Sequence, residues 1–212
     1  TACWVADVYD LIQEYDNYII AETFVKVEHA LLGLEGTDID KVTTVYSHPQ
    51  GFMQCEKFLS KHKDWQQISQ SNTAGSAKKV LEENDKTHVA IASEEAAEVY
   101  NLSVLAKKIN DLDNNTTRFV IVTNTRKFVK NAKKMSIVFE TANEPGTLYN
   151  LLSHIIYNGL NMNKIESRPI EGRPWEYRFF IDFEGNIDDP AVMNALRGIQ
   201  EEAKAIKLLG NY

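Results

Sequence analysis

The sequence predicts two successive folds: an α/β layer over residues 1–128 and an α+β domain of ferredoxin-like β-α-β-β-α-β order over residues 134–212. Two observations carry this. Through the first part, short β-branched or apolar runs alternate with segments whose apolar residues recur at helical spacing, which reads as parallel strands with helices packed on them. After "TRFVIVTNTRKF" the texture changes. Residues 127–134 hold lysines at 127, 130, 133 and 134 and read as a linker, assigned to 129–133; beyond it the order is strand, helix, strand, strand, helix, strand. Neither part contains an internal repeat or a low-complexity tract.

Each element has its own signal. In "VADVYDLIQEY", Val5, Val8, Leu11 and Ile12 stand at helical spacing with acids between them. "NYIIAETFVKVEHALLG" supplies one or two strands. "VTTVYSHPQGFMQCEKFLSKH" reads as strand, a Pro-Gln-Gly break, then a helix with Phe52, Cys55, Phe58 and Leu59 on one face. "SNTAGSAKKVLEEN" is a helix with hydroxyl and amide caps before Ala74. In "HVAIASEEAAEVYNL" a buried strand leads to Ser93 as N-cap, with Glu94 and Glu95 placed by the helix dipole and by solvent. Downstream, "MSIVFET", "NMNKIESRPI", "WEYRFFIDFEG" and "AIKLLGNY" are strands, and "EPGTLYNLLSHIIYNG" and "DDPAVMNALRGIQEEA" are helices. Alternation puts Phe179, Ile181 and Phe183 on one strand face and Arg178, Phe180 and Asp182 on the other. "GRP" supplies a hairpin turn. Pro169 cannot donate to a central ladder, so its strand belongs at an edge or bulge.

Composition bounds the function. The 212 residues carry a net charge of −7, from 23 Lys+Arg against 30 Asp+Glu, which argues against nucleic acid as the partner. An anionic metabolite would instead be held by a few local donors: an arginine, helix N-termini and hydroxyls. No apolar run approaches the ~18 residues of a membrane helix, and no signal peptide opens the sequence. Cys3 and Cys55 do not form a metal-type pair, and one disulfide would be a weak argument for secretion, so a reducing cytoplasm is expected.

Several polar groups invite chemistry, and each has a plainer explanation. Pro49 after His48 forces an extended or turn conformation just past a strand, which puts Ser47, Gln50 and Gln54 at the strand's C-terminal end and the start of the next helix, the place where ligands bind in open α/β sheets. On spacing alone, a polar loop with Ser and Gln as caps has the better claim. His48 invites a general-base role but has no carboxylate at a fixed offset. "SNTAG" presents a helix N-terminus suited to an anion or to ordinary capping. Thr116, Thr117 and Arg118 open an apolar strand that needs no such residues to start. Arg118 and Thr117, as strand neighbours, point to opposite faces. Arg168 with Ser167 could grip a carboxylate, or pair with Glu166 or Glu171 on an exposed hairpin. "NEPGTL" exposes backbone donors at a helix start, near where such a domain would pair with a copy of itself.

Taken together, "SHPQ" with "QC" at 47–55, the small-residue helix start at 72–74, "TRF" at 117–119 and "ESRP" at 166–169 resemble the prephenate dehydratase family with its C-terminal ACT regulatory domain, including bifunctional chorismate mutase/prephenate dehydratases. "PGTL" looks like that family's Gly-Ala-Leu regulatory motif, and "DVYDL" and "HALL" also fit, so the resemblance runs the length of the chain. "TRF" alone would be a weak signal; with "SHPQ" and "ESRP" in this order it is a strong one. Cys3 stands where the family usually has glycine, and Asn72 where it usually has serine.

The resemblance implies a two-lobed dehydratase domain like a type 2 periplasmic binding protein, with the first lobe incomplete at its start and lacking the family's Glu-Asn-Ser/Thr element, followed by the ACT domain. It implies conversion of prephenate to phenylpyruvate in phenylalanine biosynthesis, without metal or other cofactor. Thr117 would donate to the leaving hydroxyl, with Ser47 and Gln54 also catalytic, and Thr73, Arg118 and His48 would hold substrate, Arg118 as an anchor of the cleft wall. L-Phenylalanine would be an allosteric effector at an interface between ACT domains of a homodimer or tetramer, bound by Asn143, Gly146, Thr147, Leu148, Glu166, Ser167, Arg168 and Pro169. Rival readings are a non-catalytic amino-acid sensor with a degenerate first domain, a two-lobed solute-binding protein, and an arogenate dehydratase.

Overall fold

A computed structural model describes residues 7–212. The sequence-based expectations for Cys3 and Val5 therefore lie outside the described residues. In chain order the first elements are α1 (Asp7–Glu14), β1 (Tyr18–Lys26), β2 (Ala30–Gly33), β3 (Thr44–Ser47), α2 (Pro49–Gln54), α3 (Glu56–Leu59) and β4 (Gln66–Ser69). Next come α4 (Thr73–Glu83), β5 (His88–Ala92), α5 (Glu94–Tyr100), β6 (Ser103–Ala106) and β7 (Thr116–Thr123). The remainder is β8 (Lys134–Glu140), α6 (Thr147–Tyr157), β9 (Met162–Ile170), β10 (Arg173–Glu184), α7 (Pro190–Glu202) and β11 (Ala205–Asn211). These elements form two compact units. One comprises Val25–Thr117; the other combines, among the described residues, 7–24 with Arg118–Tyr212, so the chain passes between units within β1 and again within β7.

The Val25–Thr117 unit holds a five-stranded sheet in the order β4-β3-β5-β2-β6. Strands β4, β3 and β5 are parallel, but β2 runs antiparallel to both β5 and β6. The sheet is thus mixed where the alternation predicts a parallel layer, because β2 enters the unit with no preceding helix. Two strands went unread in the sequence: β4 is mostly exposed and polar, and β6 is only four residues long. Ala30, Leu32, Ala90 and Ala92 face α4 and α5 on one side; Leu31, Val45, Val89 and Ile91 pack with Cys55, Leu59 and Trp65 on the other. This interleaving is what period-two strands with both faces covered produce.

Local chemistry sets the helix limits. Ser93 Oγ accepts from Ala96 N at 3.4 Å, as its N-cap position predicts. Asn72 Oδ1 accepts from Gly75 N at 2.6 Å to start α4, and Asn84, at φ 50°, ends it. The helix expected after a Pro-Gln-Gly break starts at Pro49 itself, whose missing N–H costs nothing at the first helical position. It then breaks at Cys55 (φ −123°), giving two short helices in place of one.

In the other unit a six-stranded sheet has the order β7-β1-β11-β8-β10-β9. Its last four strands with α6 and α7 follow the expected β-α-β-β-α-β order, and β10 pairs antiparallel with both β8 and β9. Strand β1 adds parallel to β11. Ile181 and Phe183 pack with Met135, Ile137, Leu151, Ile155, Val192 and Ile199 on the α6/α7 face. Phe180, Val138 and Leu209 cluster with Ile12 on the opposite face, under α1. β9 lies at an edge, where Pro169 is tolerated. The hairpin turns at Glu171-Gly172, one residue before "GRP" predicts, since Gly172 alone there takes the left-handed conformation without strain (φ 74°). The lysine-rich stretch is tied down: Val129 N donates to Asn211 O, and Lys133 N to Tyr212 O, each at 3.1 Å.

Helix α1 buries a different stripe from the one its spacing suggests. Ile12 is buried and Val8 and Tyr9 pack beside it, while Leu11 is 48% exposed. We expect Ile12→Ala to cost about 2–5 kcal/mol of unfolding free energy and Leu11→Ala less than about 0.5 kcal/mol, both read from urea midpoints at unchanged slope.

Candidate active site

Ser47 ends β3 fully buried, and its hydroxyl donates to Ile91 O at 3.0 Å, joining two parallel strands at their C-terminal ends. His48 follows as the N-cap of α2; its Nδ1 accepts from Gln50 N at 3.2 Å. Gly51 then packs so tightly that a Cβ there would sit 2.3 Å from Ser47 Oγ and 3.6 Å from Thr73 Cγ2. Ser47 and Thr73 are therefore neighbours across the Gly51 backbone. The N-terminal ends of α2 and α4 meet there, and Thr73 is the first helical residue of α4, half-buried behind Asn72.

Gln54 closes α2 and reaches a separate group. Its Oε1 lies 2.7 Å from Nε2 of His29, a histidine 6% exposed. His29 is itself clamped: its N–H donates to Asn110 Oδ1 at 2.6 Å, Asn110 Nδ2 donates to Val27 O at 3.0 Å, and Ile109 N donates to His29 O at 3.0 Å. With Nε2–H given to Gln54, the imidazole presents Nδ1 as an acceptor, and that atom is buried without a partner. His29 was not singled out in the sequence. The signal was available: a histidine at the head of the fully buried run Ala30–Gly33.

A cavity of about 500 Å³ lies beside Gln54, lined also by Lys57, Asn110, Asp111, Asn115 and Thr116. Its size falls within the range of small-molecule sites. The Asn115 Nδ2 is buried and unpartnered, while Asp111 Oδ1 is occupied by Lys57 N at 3.0 Å. Of the residues singled out beforehand as catalytic or substrate-binding, only Gln54 lines this cavity; Thr117, exposed at the end of the unit, follows Thr116, which does. Cys55, the residue after α2, is buried, and burial and then Asp111 push its thiol up to about 12, so it stays protonated.

Arg118 is committed within the other unit. Its guanidinium contacts Asp182 Oδ2 at 2.5 Å, Glu22 Oε2 at 2.6 Å and the Tyr212 hydroxyl at 2.5 Å. Burial opposes its charge, but Asp182, Tyr212 and Glu22 outweigh it and hold the group more firmly protonated than usual.

The residues named for effector binding occupy both faces of the sheet. Leu148 packs in the α6/α7 core, and Ser167 stands opposite Phe179 on that side. Gly146, at φ 84°, starts α6, and the Thr147 hydroxyl donates to Glu144 O at 2.6 Å. Glu166 stands opposite Phe180, on the α1 face, and pairs with Lys164 at 3.1 Å. Arg168 pairs with Asp10 at 2.7 Å, not with Glu166 or Glu171, since α1 covers what the sequence presents as an exposed hairpin. Asn143 and Pro169 are exposed.

The amide-lined cavity has the size and form of a small-molecule site. Comparison with known proteins gives the family. The family model for prephenate dehydratase matches residues 1–127. The prephenate dehydratase of Methanocaldococcus jannaschii is 38% identical over 205 residues, 95% of this chain and 73% of that protein. The bifunctional chorismate mutase/prephenate dehydratase of Stutzerimonas stutzeri is 39% identical over 204 residues, 96% of this chain and 55% of that one. The chain spans about half the length of the bifunctional relatives it matches. Prephenate dehydratase from Arthrobacter aurescens, solved with L-Phe, superposes with a TM-score of 0.90 at 28% identity, covering 99% of this chain and 70% of that one. This chain belongs to the prephenate dehydratase family.

The Gly51 contact is directly testable. We expect Gly51→Ala to destabilise the protein by about 1–3 kcal/mol through overpacking, and Ser47→Gly/Gly51→Ala to recover part of that loss in a denaturant titration.

Proposed function

We propose that this chain carries out the decarboxylating dehydration of prephenate to phenylpyruvate, and that positions 134–212 form an ACT-type domain through which L-phenylalanine regulates it. The observation that carries the catalytic reading is the Gln54 cavity: a buried histidine orients the amide, and the wall offers Lys57 and the unpartnered Asn115 amide, beside the Asp111 carboxylate. Amide donors and an ammonium suit a dianion, and they do so in a protein whose net charge is −7.

In this reaction the carbon–carbon bond to the ring carboxylate breaks as CO₂ leaves. Its electron pair enters the ring, and the ring hydroxyl departs with one added proton as water. Aromatisation drives the change, so the protein's part is to hold two carboxylates and ease the hydroxyl away. Thr117 takes that second role by an oriented hydrogen bond, its own hydroxyl being too weak an acid to protonate the leaving group in advance. Ser47 acts from behind, holding the β3–α2 turn through Ile91, and Thr73 stands beside it at the α4 N-terminus, where a carboxylate is favoured. Arogenate, with an amino group in place of the keto oxygen, would undergo the same chemistry.

The regulatory reading rests on the β-α-β-β-α-β order and on the positive-φ glycine that opens α6. Leu148 and Ser167, on one side of the sheet, would meet the aromatic ring, and backbone donors at Gly146–Leu148 the charged end, in a homo-oligomer joined through this domain.

Thr117→Val in the intact protein should lower prephenate turnover by roughly 10²-fold or more with an unchanged unfolding midpoint; near-normal turnover would sink the assignment. Calorimetry should detect L-phenylalanine binding to the folded oligomer, and a verified oligomer giving no heat would refute the regulatory reading. Binding of phenylalanine without turnover of prephenate or arogenate would favour the sensor reading instead.

A further inference from the structure

Arg118 is the more conspicuous half of the Thr117-Arg118 pair, and the resemblance assigns it to substrate. Its surroundings say otherwise. Each of its three nitrogens meets a different group: Nη1 donates to Asp182 Oδ2 at 2.5 Å, Nη2 donates to the Tyr212 hydroxyl at 2.5 Å, and Nε lies 2.6 Å from Glu22 Oε2 as an ion pair without hydrogen-bond alignment. These partners are themselves held. Ser136 Oγ donates to Asp182 Oδ1 at 2.5 Å and lies 2.8 Å from the Tyr212 hydroxyl, and Lys134 pairs with Glu22. The Asp182 side chain is only 7% exposed and that of Arg118 17%. A substrate carboxylate could reach this guanidinium only by displacing a buried one, leaving that charge unpaired at a cost of several kcal/mol.

A planar fork gripped on three sides fixes the backbone that bears it, because rotation about any side-chain bond breaks a contact. The members of the group come from β1 (Glu22), β7 (Arg118), β8 (Lys134 and Ser136), β10 (Asp182) and the residue after β11 (Tyr212). Displacement of β7 along its length would pull Arg118 out of this group. Thr117 is one peptide away on the same strand, with its side chain on the other face.

We propose that Arg118 is a positioning residue and not a substrate ligand: its anchorage to Asp182, Glu22 and Tyr212 sets the register of β7 and so the direction of the Thr117 hydroxyl. This rests on the reading of Thr117 as the donor to the leaving group, and the test separates the two. In the intact protein, kcat and KM for prephenate are measured for Tyr212→Phe, Asp182→Asn and Arg118→Lys, each alone and combined with Thr117→Val. Tyr212→Phe removes the hydroxyl's two hydrogen bonds, to Arg118 and Ser136, and leaves both ion pairs, so it carries the test if Asp182→Asn does not fold.

The expected result is a fall in kcat of roughly tenfold, with KM changed by less than about twofold. The loss should vanish in the Thr117→Val background, where there is no hydroxyl left to misdirect. Effects that multiply with Thr117→Val overturn the inference, since general damage to the fold would act independently. So would a tenfold rise in KM for Arg118→Lys while Tyr212→Phe and Asp182→Asn leave kcat untouched, which would make Arg118 a substrate ligand. Normal turnover by Thr117→Val overturns the underlying reading, and the inference with it.

Discussion

The arrangement of the larger sheet depends on how Asp182 is neutralised. A carboxylate almost closed off from water must be paired and hydrogen-bonded, and here Arg118 and Ser136 supply both. Such a group contributes little net stability against a well-packed apolar alternative, because desolvation consumes most of the attraction. Its value lies in specificity. A one-residue slip of β10 would send Asp182 to the opposite face, into the apolar layer under α6 and α7, and leave its charge buried away from Arg118. Tyr212 adds to the constraint, since burial and then Asp182 hold its phenol well above its ordinary range, so it stays a neutral donor and acceptor.

The smaller sheet is governed by a contact of another kind. Gly51 lets α2 start directly against the end of β3, and the space a side chain would take belongs to Ser47 Oγ. This close approach sets where α2 runs and hence where Gln54 falls, next to His29. The histidine completes a chain of bonds through Asn110 to the Val27 carbonyl, so a loop residue, a strand-leading residue and a helix-ending residue move together. Pre-organisation of this sort fixes the direction of the Gln54 amide before any ligand arrives.

Much of the architecture was legible because it follows from short-range rules. Period-two alternation separated Phe179, Ile181 and Phe183 from Phe180 and Asp182, and these residues do face different clusters. Ser93 and Asn72 announced their helices through side chains that can accept from the first turn. Pro169 marked an edge strand because it lacks a donor. Harder to see were β4, whose residues are polar and exposed, and the antiparallel course of β2, which depends on partners distant in sequence. The buried stripe of α1 shifted from Leu11 toward Tyr9, because the partner surface includes the Phe180 ring, 5.0 Å away between centroids.

For the candidate site the division is sharper. The sequence alone determined which residue types are present and in what order: the strand-ending serine, the glutamine seven positions on, the Thr-Arg pair, and alternation forcing that pair onto opposite faces. Only tertiary structure decided their commitments. That the Ser47 hydroxyl donates to the Ile91 carbonyl, that Gln54 is met by His29, and that Arg118 is consumed by Asp182, Glu22 and Tyr212 are contacts spanning 44, 25 and up to 96 positions. A polar group advertises its capacity to bond in the local sequence. Which partner uses that capacity depends on the burial of both, and burial is a property of the packed chain.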